Sequence, residues 1–154
     1  MKHLKYLWYV LKHKFYVFKE CSKRGHIWLG LTHDLSKFRW SEWNPYVEHF
    51  YGSHKDDHDK GITDDAFEAA WLYHQNRNRH HWQYFLSVDR KGGLSVAEMP
   101  EKYIVEMICD WIGAAKAKGQ GGVYVPIWFE RYEHSIVITD KVKARVEELV
   151  YNPK

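Results

Sequence analysis

Apolar residues recur every three or four positions through most of the chain, which is the spacing of amphipathic α-helices. In residues 3–24 this stripe consists of Leu4, Leu7, Trp8, Leu11, Phe15 and Phe18. The stripe is the face that we expect to pack on the core. Gly25 is well placed to end this helix, because glycine readily adopts the left-handed backbone found after helix C-termini.

Two more helices are predicted before residue 52. A short one runs from about Ile27 into the His-Asp pair at 33–34, and Ser41 caps another that reaches Phe50. Pro45 lies inside this third helix, where we expect it to distort the backbone.

The middle of the chain combines loops with one long helix. Residues 52–62 are polar and rich in turn-forming residues, so they predict a loop. Thr63 is the predicted cap of a helix that continues to about Leu86, with acidic residues in its first turn. Residues 88–99 form a second loop, with a small hairpin expected at Gly92-Gly93.

The last third of the chain is again helical. Pro100 opens a helix through Ala117, and the glycine-rich residues 119–122 end it. Its apolar stripe consists of Ile104, Val105, Ile108, Trp111, Ile112 and Ala115. Pro126 begins a short helix and Thr139 caps the last one.

Together these elements predict an all-α fold of about six to seven helices in one domain over residues 1–154. We expect a core at about residues 3–117, on which C-terminal helices at 126–151 pack. The composition agrees with a folded protein, since 45% of residues are hydrophobic and 17% are aromatic.

Charge and histidine content direct attention to a metal. The net charge is only +3, which argues against a nucleic-acid partner, whereas eleven histidines are unusual in 154 residues. The two cysteines have no zinc-finger spacing and suit reduced, buried thiols.

The predicted helices bring ionisable residues to one interior. The first helix carries His13, the second carries His33, Asp34 and Lys37, and the helix after Pro100 carries Asp110. On the predicted helix at 63–86, His74, Asn78 and His81 share one face, whereas His80 points about 120° away. His74 and His81 would lie roughly 10 Å apart along the helix, too far to bind one ion together easily. They could serve two ions, or one could bind a metal while the other binds substrate.

This series resembles the HD-domain superfamily of metal-dependent phosphohydrolases, through the order of His13, His33-Asp34, His74, His81 and Asp110. The string "HDLSK" is similar to the superfamily's HDxxK signature. Four longer strings within residues 3–117 resemble a small phage and bacterial branch: "HKFYVFKEC", "GLTHDLSKF", "AWLYHQNRNRHHWQYF" and "MPEKYIVEMICDWIGAAKA".

The resemblance implies a metal at the centre of an all-α fold. Its implied ligands are His13, His33, Asp34, His74, His81 and Asp110, with Glu106 and His80 in supporting positions. The gap between His13 and His33 is short for the superfamily, so His26 and His3 stay open as alternatives for the first ligand. Ser36 occupies a position where related proteins often have glycine.

The expected function is hydrolysis of a nucleotide or another small phosphate ester, with one or two divalent ions of Mn, Co, Mg, Fe or Zn. Asp34 and Lys37 are the predicted catalytic residues. The predicted substrate-binding residues are Lys37, Arg39, Arg77 and Asn78. The positively charged side chains of Lys37, Arg39 and Arg77 would neutralise the charge of the phosphate.

Two other functions stay open. The same ligands suit a di-iron oxygenase, which some members of the superfamily are, and a degenerate site would leave a protein that only binds a nucleotide or another protein. We expect a cytoplasmic protein of a bacterial or phage-infected cell with no membrane partner. Whether the protein forms an oligomer stays open.

Overall fold

The computed structural model describes residues 1–52, 55, 64–121 and 124–152, and within them the protein is all-α, as predicted. The helices there are α1 (Lys2–Lys23), α2 (Ile27–Thr32), α3 (Trp40–Tyr51), α4 (Asp65–Arg77), α5 (Glu101–Ala117), α6 (Tyr124–Tyr132) and α7 (Asp140–Tyr151). The hairpin consists of β1 (Leu86–Val88) and β2 (Leu94–Val96). Most of the predicted loop at 52–62 and the predicted cap Thr63 lie outside the described residues.

Helix α1 ends where predicted, but it buries a different face. Gly25 has a φ of +78°, as its predicted role in ending the helix requires. The buried side chains of α1 are Tyr6, Val10, His13, Val17, Glu20 and Cys21. In the predicted stripe, Leu4, Trp8, Leu11 and Phe15 are exposed. The stripe was therefore assigned to the wrong face of the helix.

The buried face of α1 packs closely on α5. Gly113 makes this approach possible, because a Cβ atom there would lie 2.4 Å from Cγ2 of Val17. Val17 and Cys21 of α1 share a small apolar cluster with Val105 and Cys109 of α5. These contacts hold the two helices that carry His13 and Asp110 side by side.

Helix α3 begins at Trp40, so the prediction that Ser41 caps it was wrong. The amides of Glu42 and Trp43 donate to the carbonyl of Arg39, which places Ser41 in the first turn. The hydroxyl of Ser41 instead accepts a hydrogen bond from Arg77 on α4. Pro45 lies inside the helix, as predicted.

Helix α4 is shorter than predicted. Asp64 caps its start by accepting hydrogen bonds from the amides of Ala66 and Phe67, at 3.1 and 3.2 Å. The helix ends at Arg77 rather than near Leu86, because Asn78 has an extended backbone. The side chain of Asn78 also donates to the carbonyl of His74, at 2.8 Å, and so satisfies a carbonyl of the last turn.

The remaining elements follow the prediction, except that α6 begins at Tyr124 rather than at Pro126. The hairpin pairs Leu86 with Val96 and Val88 with Leu94, and Thr139 caps α7 by accepting from the amide of Val142. The main apolar cluster joins α5, α6 and α7 through Met99, Ile104, Met107, Ile108, Ile112, Ala115, Val125, Phe129, Val142, Val146 and Val150. Among the described residues, no helix is both long and apolar enough to cross a membrane.

Candidate metal centre

The backbone presents the His33-Asp34 pair from a sharp turn rather than from within a helix. Helix α2 ends at Thr32, and His33 follows with an extended ψ of 130°. Asp34 adopts the left-handed conformation, with a φ of +55°, before a 3-10 turn at Leu35–Phe38. Non-glycine residues in this region are uncommon and often mark functional sites. The turn directs both side chains into the protein, where each is 1% exposed.

A first group of possible metal ligands forms around Oδ2 of Asp34. His13 Nε2 lies 3.5 Å and His33 Nε2 lies 3.4 Å from this oxygen. Oδ1 of Asp110 completes the group, at 3.1 Å from His13 Nε2 and 3.3 Å from His33 Nε2. Four of the predicted ligands, from three separate parts of the chain, therefore converge on one point.

A second group forms around the other oxygen of the same carboxylate. Oδ1 of Asp34 lies 3.3 Å from His74 Nε2 and 3.4 Å from His80 Nε2. His81 belongs to this group as well, and the ligand atoms of the group all lie within 4.8 Å of one another. The prediction that His74 and His81 lie too far apart to share an ion was therefore wrong, because their ring centroids are 4.8 Å apart. Asp34 is thus shared between two groups of histidines.

His80 was predicted to support the site from behind, but its Nε2 lies within the second group. The helical geometry that separated His80 from His74 does not apply, since α4 ends at Arg77. In the turn that follows, the ring centroids of His80 and His81 lie 4.3 Å apart, and both residues belong to the second group.

Each of the two groups could hold a metal ion. Ligand atoms about 2.1 Å from one ion in tetrahedral geometry are about 3.4 Å from each other. The six distances given above, from 3.1 to 3.5 Å, are close to that value. Ten buried side-chain atoms of the described residues lack a hydrogen-bond partner, and four of them lie together in the second group: Asp34 Oδ1 and the Nε2 atoms of His74, His80 and His81. Buried polar atoms without partners are rare in folded proteins, and a cation would satisfy all four.

Two buried carboxylates orient the histidines from behind. Nδ1 of His33 donates to Glu106 at 3.1 Å, and Nδ1 of His80 lies 3.4 Å from the same Oε1. Glu42 accepts from Nδ1 of His74 at 2.9 Å. Such carboxylates fix the tautomer that leaves Nε2 free for a metal. Glu106 was predicted in this role. Glu42 was missed because acidic residues are common in the first turn of helices, where they need no role at a metal site.

The charges of the centre depend strongly on one another. Burial alone would raise the pKa of Asp34, but His33, Lys37 and His74 outweigh it and hold that pKa well below its usual range. Burial would lower the pKa of His33, yet Asp34 and Asp110 raise it well above normal. For His81, burial and the neighbouring His80 and His74 lower the pKa, which favours the neutral imidazole that binds metals.

Lys37 lies at the centre, where its ammonium forms an ion pair with Oδ2 of Asp34. The other predicted substrate-binding residues lie on the far side of His74. Arg77 donates to Glu42 at 2.6 Å, and the amide of Asn78 donates to Ser36 at 2.7 Å. With Arg39 they line a separate shallow pocket. The hydrogen bonds of Arg77 and Asn78 hold Glu42 and His74 in place.

Two cavities adjoin the centre. The tryptophan cavity, of about 340 Å³, is lined by His81 and Asp110 together with Trp71, Trp111, Trp128 and Lys118. The tyrosine cavity, of about 590 Å³, is lined by Lys37 with Tyr6, Tyr9, Tyr46, Trp71 and Lys118. The tryptophan cavity therefore touches one residue of each ligand group.

The alternatives for the first ligand lie elsewhere. Nδ1 of His3 accepts a hydrogen bond from the indole of Trp43, at 3.0 Å. His26 immediately precedes α2 and lines a surface groove with Lys23 and Arg145. Of the three candidate histidines, His13 is the one that lies in the first group.

Comparisons with known proteins give a family but no activity. The model of a family described as "Family of unknown function (DUF5662)" matches residues 2–152. Searches of curated proteins and of solved structures returned no match. The resemblance to HD-domain proteins thus stays an expectation from the sequence. Because the match spans nearly the whole chain, the protein belongs to the DUF5662 family of unknown function.

Proposed function

We propose that this protein is a phosphohydrolase with two divalent ions, acting on a nucleotide or another small phosphate ester. One observation carries the proposal: the two oxygens of Asp34 each face a separate group of histidine nitrogens. In two-metal phosphatases, ions about 3.5–4 Å apart stabilise both the attacking and the leaving oxygen.

The first ion would be held by His13, His33, Asp34 and Asp110, and the second by Asp34, His74, His80 and His81. Such ions supply Lewis-acid chemistry, since they polarise phosphoryl oxygens and lower the pKa of water. Asp34, with its depressed pKa, stays ionised and keeps both groups at a fixed separation.

The tryptophan cavity is the proposed substrate site. His81 and Asp110 both line it, so a phosphoryl group placed there reaches both ligand groups. Its volume of about 340 Å³ lies within the range of small-molecule sites. Trp111 and Trp128 offer aromatic faces for a base, and the cationic side chain of Lys118 attracts phosphate.

Lys118 attracts the phosphate of the substrate, whereas Lys37 provides a fixed positive charge beside Asp34. Its ammonium is buried beside Asp34, and Asp34 and Asp110 raise its pKa in spite of that burial, so it stays charged. A fixed positive charge at this position would stabilise the negative charge that develops on the phosphoryl oxygens.

The test is a phosphate-release screen over nucleotides and simple phosphate esters, using protein stripped of metal and reloaded with Mn, Co, Mg, Fe or Zn. We expect release that requires metal and is lost in Asp34→Asn but kept in Asp65→Asn, which changes an exposed acid. Hydrolysis by the stripped protein, or equal rates in both variants, would contradict the proposal.

The same centre favours a second candidate, a di-iron oxygenase, because five histidines surround the shared carboxylate and imidazole suits iron. Two irons per chain with an EPR signal and uptake of O₂, together with no phosphate release, would support it. A protein that holds no metal and stays inactive with every ion would instead support a role in binding alone.

A further inference from the structure

Helix α1 carries apolar side chains on its outer face as well as on its buried face. Leu4, Trp8, Leu11 and Phe15, here named the α1 stripe, are 70%, 70%, 47% and 60% exposed. Their spacing of three and four residues places them side by side along one face. A helix that is apolar on both faces is normally covered on both, so the α1 stripe lacks a cover in the free chain.

The neighbouring helix extends the exposed apolar surface. Gly30 of α2 packs on Phe18 and Cys21 of α1, so the two helices lie against each other. On α2, Ile27, Trp28 and Leu31 are exposed, with Trp28 at 78%. Single exposed apolar residues are common, but a cluster with two tryptophans marks a surface that binds something.

The charges around the stripe identify the kind of partner. Lys5, Lys12 and Lys19 follow one edge of the α1 stripe at seven-residue intervals. Within the described residues none of them forms an ion pair. Residues 1–40 contain nine Lys or Arg and two acids, Glu20 and Asp34, both of which are buried. The rest of the chain contains fourteen basic and eighteen acidic residues. The charged residues beside the α1 stripe are therefore all basic.

A second copy of the chain fits this surface poorly. A symmetric dimer through the α1 stripe would place the lysine edges of the two copies close together, and like charges repel. Protein interfaces are also depleted in lysine. In contrast, leucine, phenylalanine and tryptophan on one face with lysine beside them are typical of helices that lie on anionic lipid surfaces.

We propose that the α1 stripe docks this protein on an anionic lipid bilayer, with the stripe inserted among the lipids and the lysine edge on the headgroup phosphates. This binding is peripheral, and it departs from the expectation of no membrane partner. It is independent of the metal centre, because the stripe faces away from His13, which lies on the buried face of α1.

The test is flotation of the full chain with vesicles of phosphatidylcholine, with and without phosphatidylglycerol. We expect binding to the anionic vesicles and its loss in Trp8→Ser/Phe15→Ser. Replacing Lys5, Lys12 and Lys19 by glutamine should weaken binding by about fivefold for each lysine. Val88→Ser/Leu94→Ser is the matched control, because it removes two exposed apolar residues from the hairpin, and it should bind like the unmodified protein.

Circular dichroism of each variant checks that the helices are intact, which we expect because the substituted side chains are exposed. The proposal is overturned if the stripe variant floats as well as the unmodified chain, or if binding does not depend on phosphatidylglycerol. It is also overturned if the protein does not bind vesicles, and light scattering shows an oligomer for the unmodified chain but a monomer for the stripe variant.

Discussion

Helix α5 buries apolar side chains on one face and carboxylates on the opposite face. Ile104, Ile108 and Ile112 pack into the apolar cluster with α6 and α7, whereas Glu106 and Asp110 face the charged centre. Burial of the isoleucines is favourable by itself. Burial of the carboxylates is costly and needs histidines or cations as partners.

This difference separates the residues that fold the chain from those that give it a site. Removing a side chain from the apolar face should lower the stability of the protein and leave its chemistry intact. Removing one from the charged face should abolish metal binding or activity. The experiments below ask whether the effects on folding and on the site can be separated in this way.

The largest effect is expected for Asp34→Asn. An amide has no negative charge to share between two ions, so phosphate release should fall roughly 10³-fold or more. Steady-state kinetics with saturating metal measure this loss. A variant that keeps more than a tenth of the activity would show that Asp34 does not join the two groups.

Ile108→Ala should have the next largest effect, but on stability. Ile108 is fully buried, and truncation of such a residue costs about 3 kcal/mol of unfolding free energy. Urea unfolding measures this cost, with Ile127→Ala, an exposed change on α6, as the control. Metal content per folded molecule should not change, and its loss would break the separation between the two faces.

Glu106→Gln tests the charged face without removing a ligand. Loss of the charge behind His33 and His80 should weaken metal binding by roughly 10- to 100-fold. Competition with a fluorescent chelator measures the affinity, and Glu130→Gln, which changes an exposed acid on α6, should leave it unaltered. An unchanged affinity in Glu106→Gln would exclude a role for this carboxylate.

The smallest effect concerns Glu20, a buried charge that serves structure alone. Burial would raise the pKa of Glu20, but hydrogen bonds from Lys116, Arg24 and Lys23 lower it from 4.5 to about 2. Because the folded-state pKa is lowered, the stabilisation is complete above pH 4.5 and is lost as the pH falls toward 2.

Glu20→Gln should therefore cost on the order of 1 kcal/mol near neutral pH, after solvent screening of the partly exposed lysines. Urea unfolding at a series of pH values should show the difference from the unmodified protein shrinking below pH 4.5. A difference that does not depend on pH would mean that the charge of Glu20 is not what stabilises α1 against α5.

The apolar face of α5 was predictable from sequence, whereas the orientation of α1 was not read correctly. Apolar residues on α5 occupy one stripe, so periodicity identifies the buried side. On α1 both faces are apolar, and periodicity alone cannot choose between them. His13 held the answer, since it lies about 200° from Leu11 and the two cannot both face the interior.

The charged centre was predicted in its main residues but not in its arrangement. His13, His33, Asp34, His74, His81 and Asp110 do come together. The inclusion of His80 depends on where α4 ends, and the hydrogen bonds of Asn78 that end it involve Ser36, 42 residues away. The contact of Glu42 with His74 is likewise long-range, so local patterns did not reveal it.

The central claim, that one carboxylate serves two metal groups, is tested most directly by counting ions. Elemental analysis should be made on the unmodified chain and on two variants, Asp110→Asn and His81→Ala, which each remove a ligand from one group. We predict two ions per chain in the unmodified protein and about one in each variant. A single ion in the unmodified protein, or an equal count in all three proteins, would contradict the account.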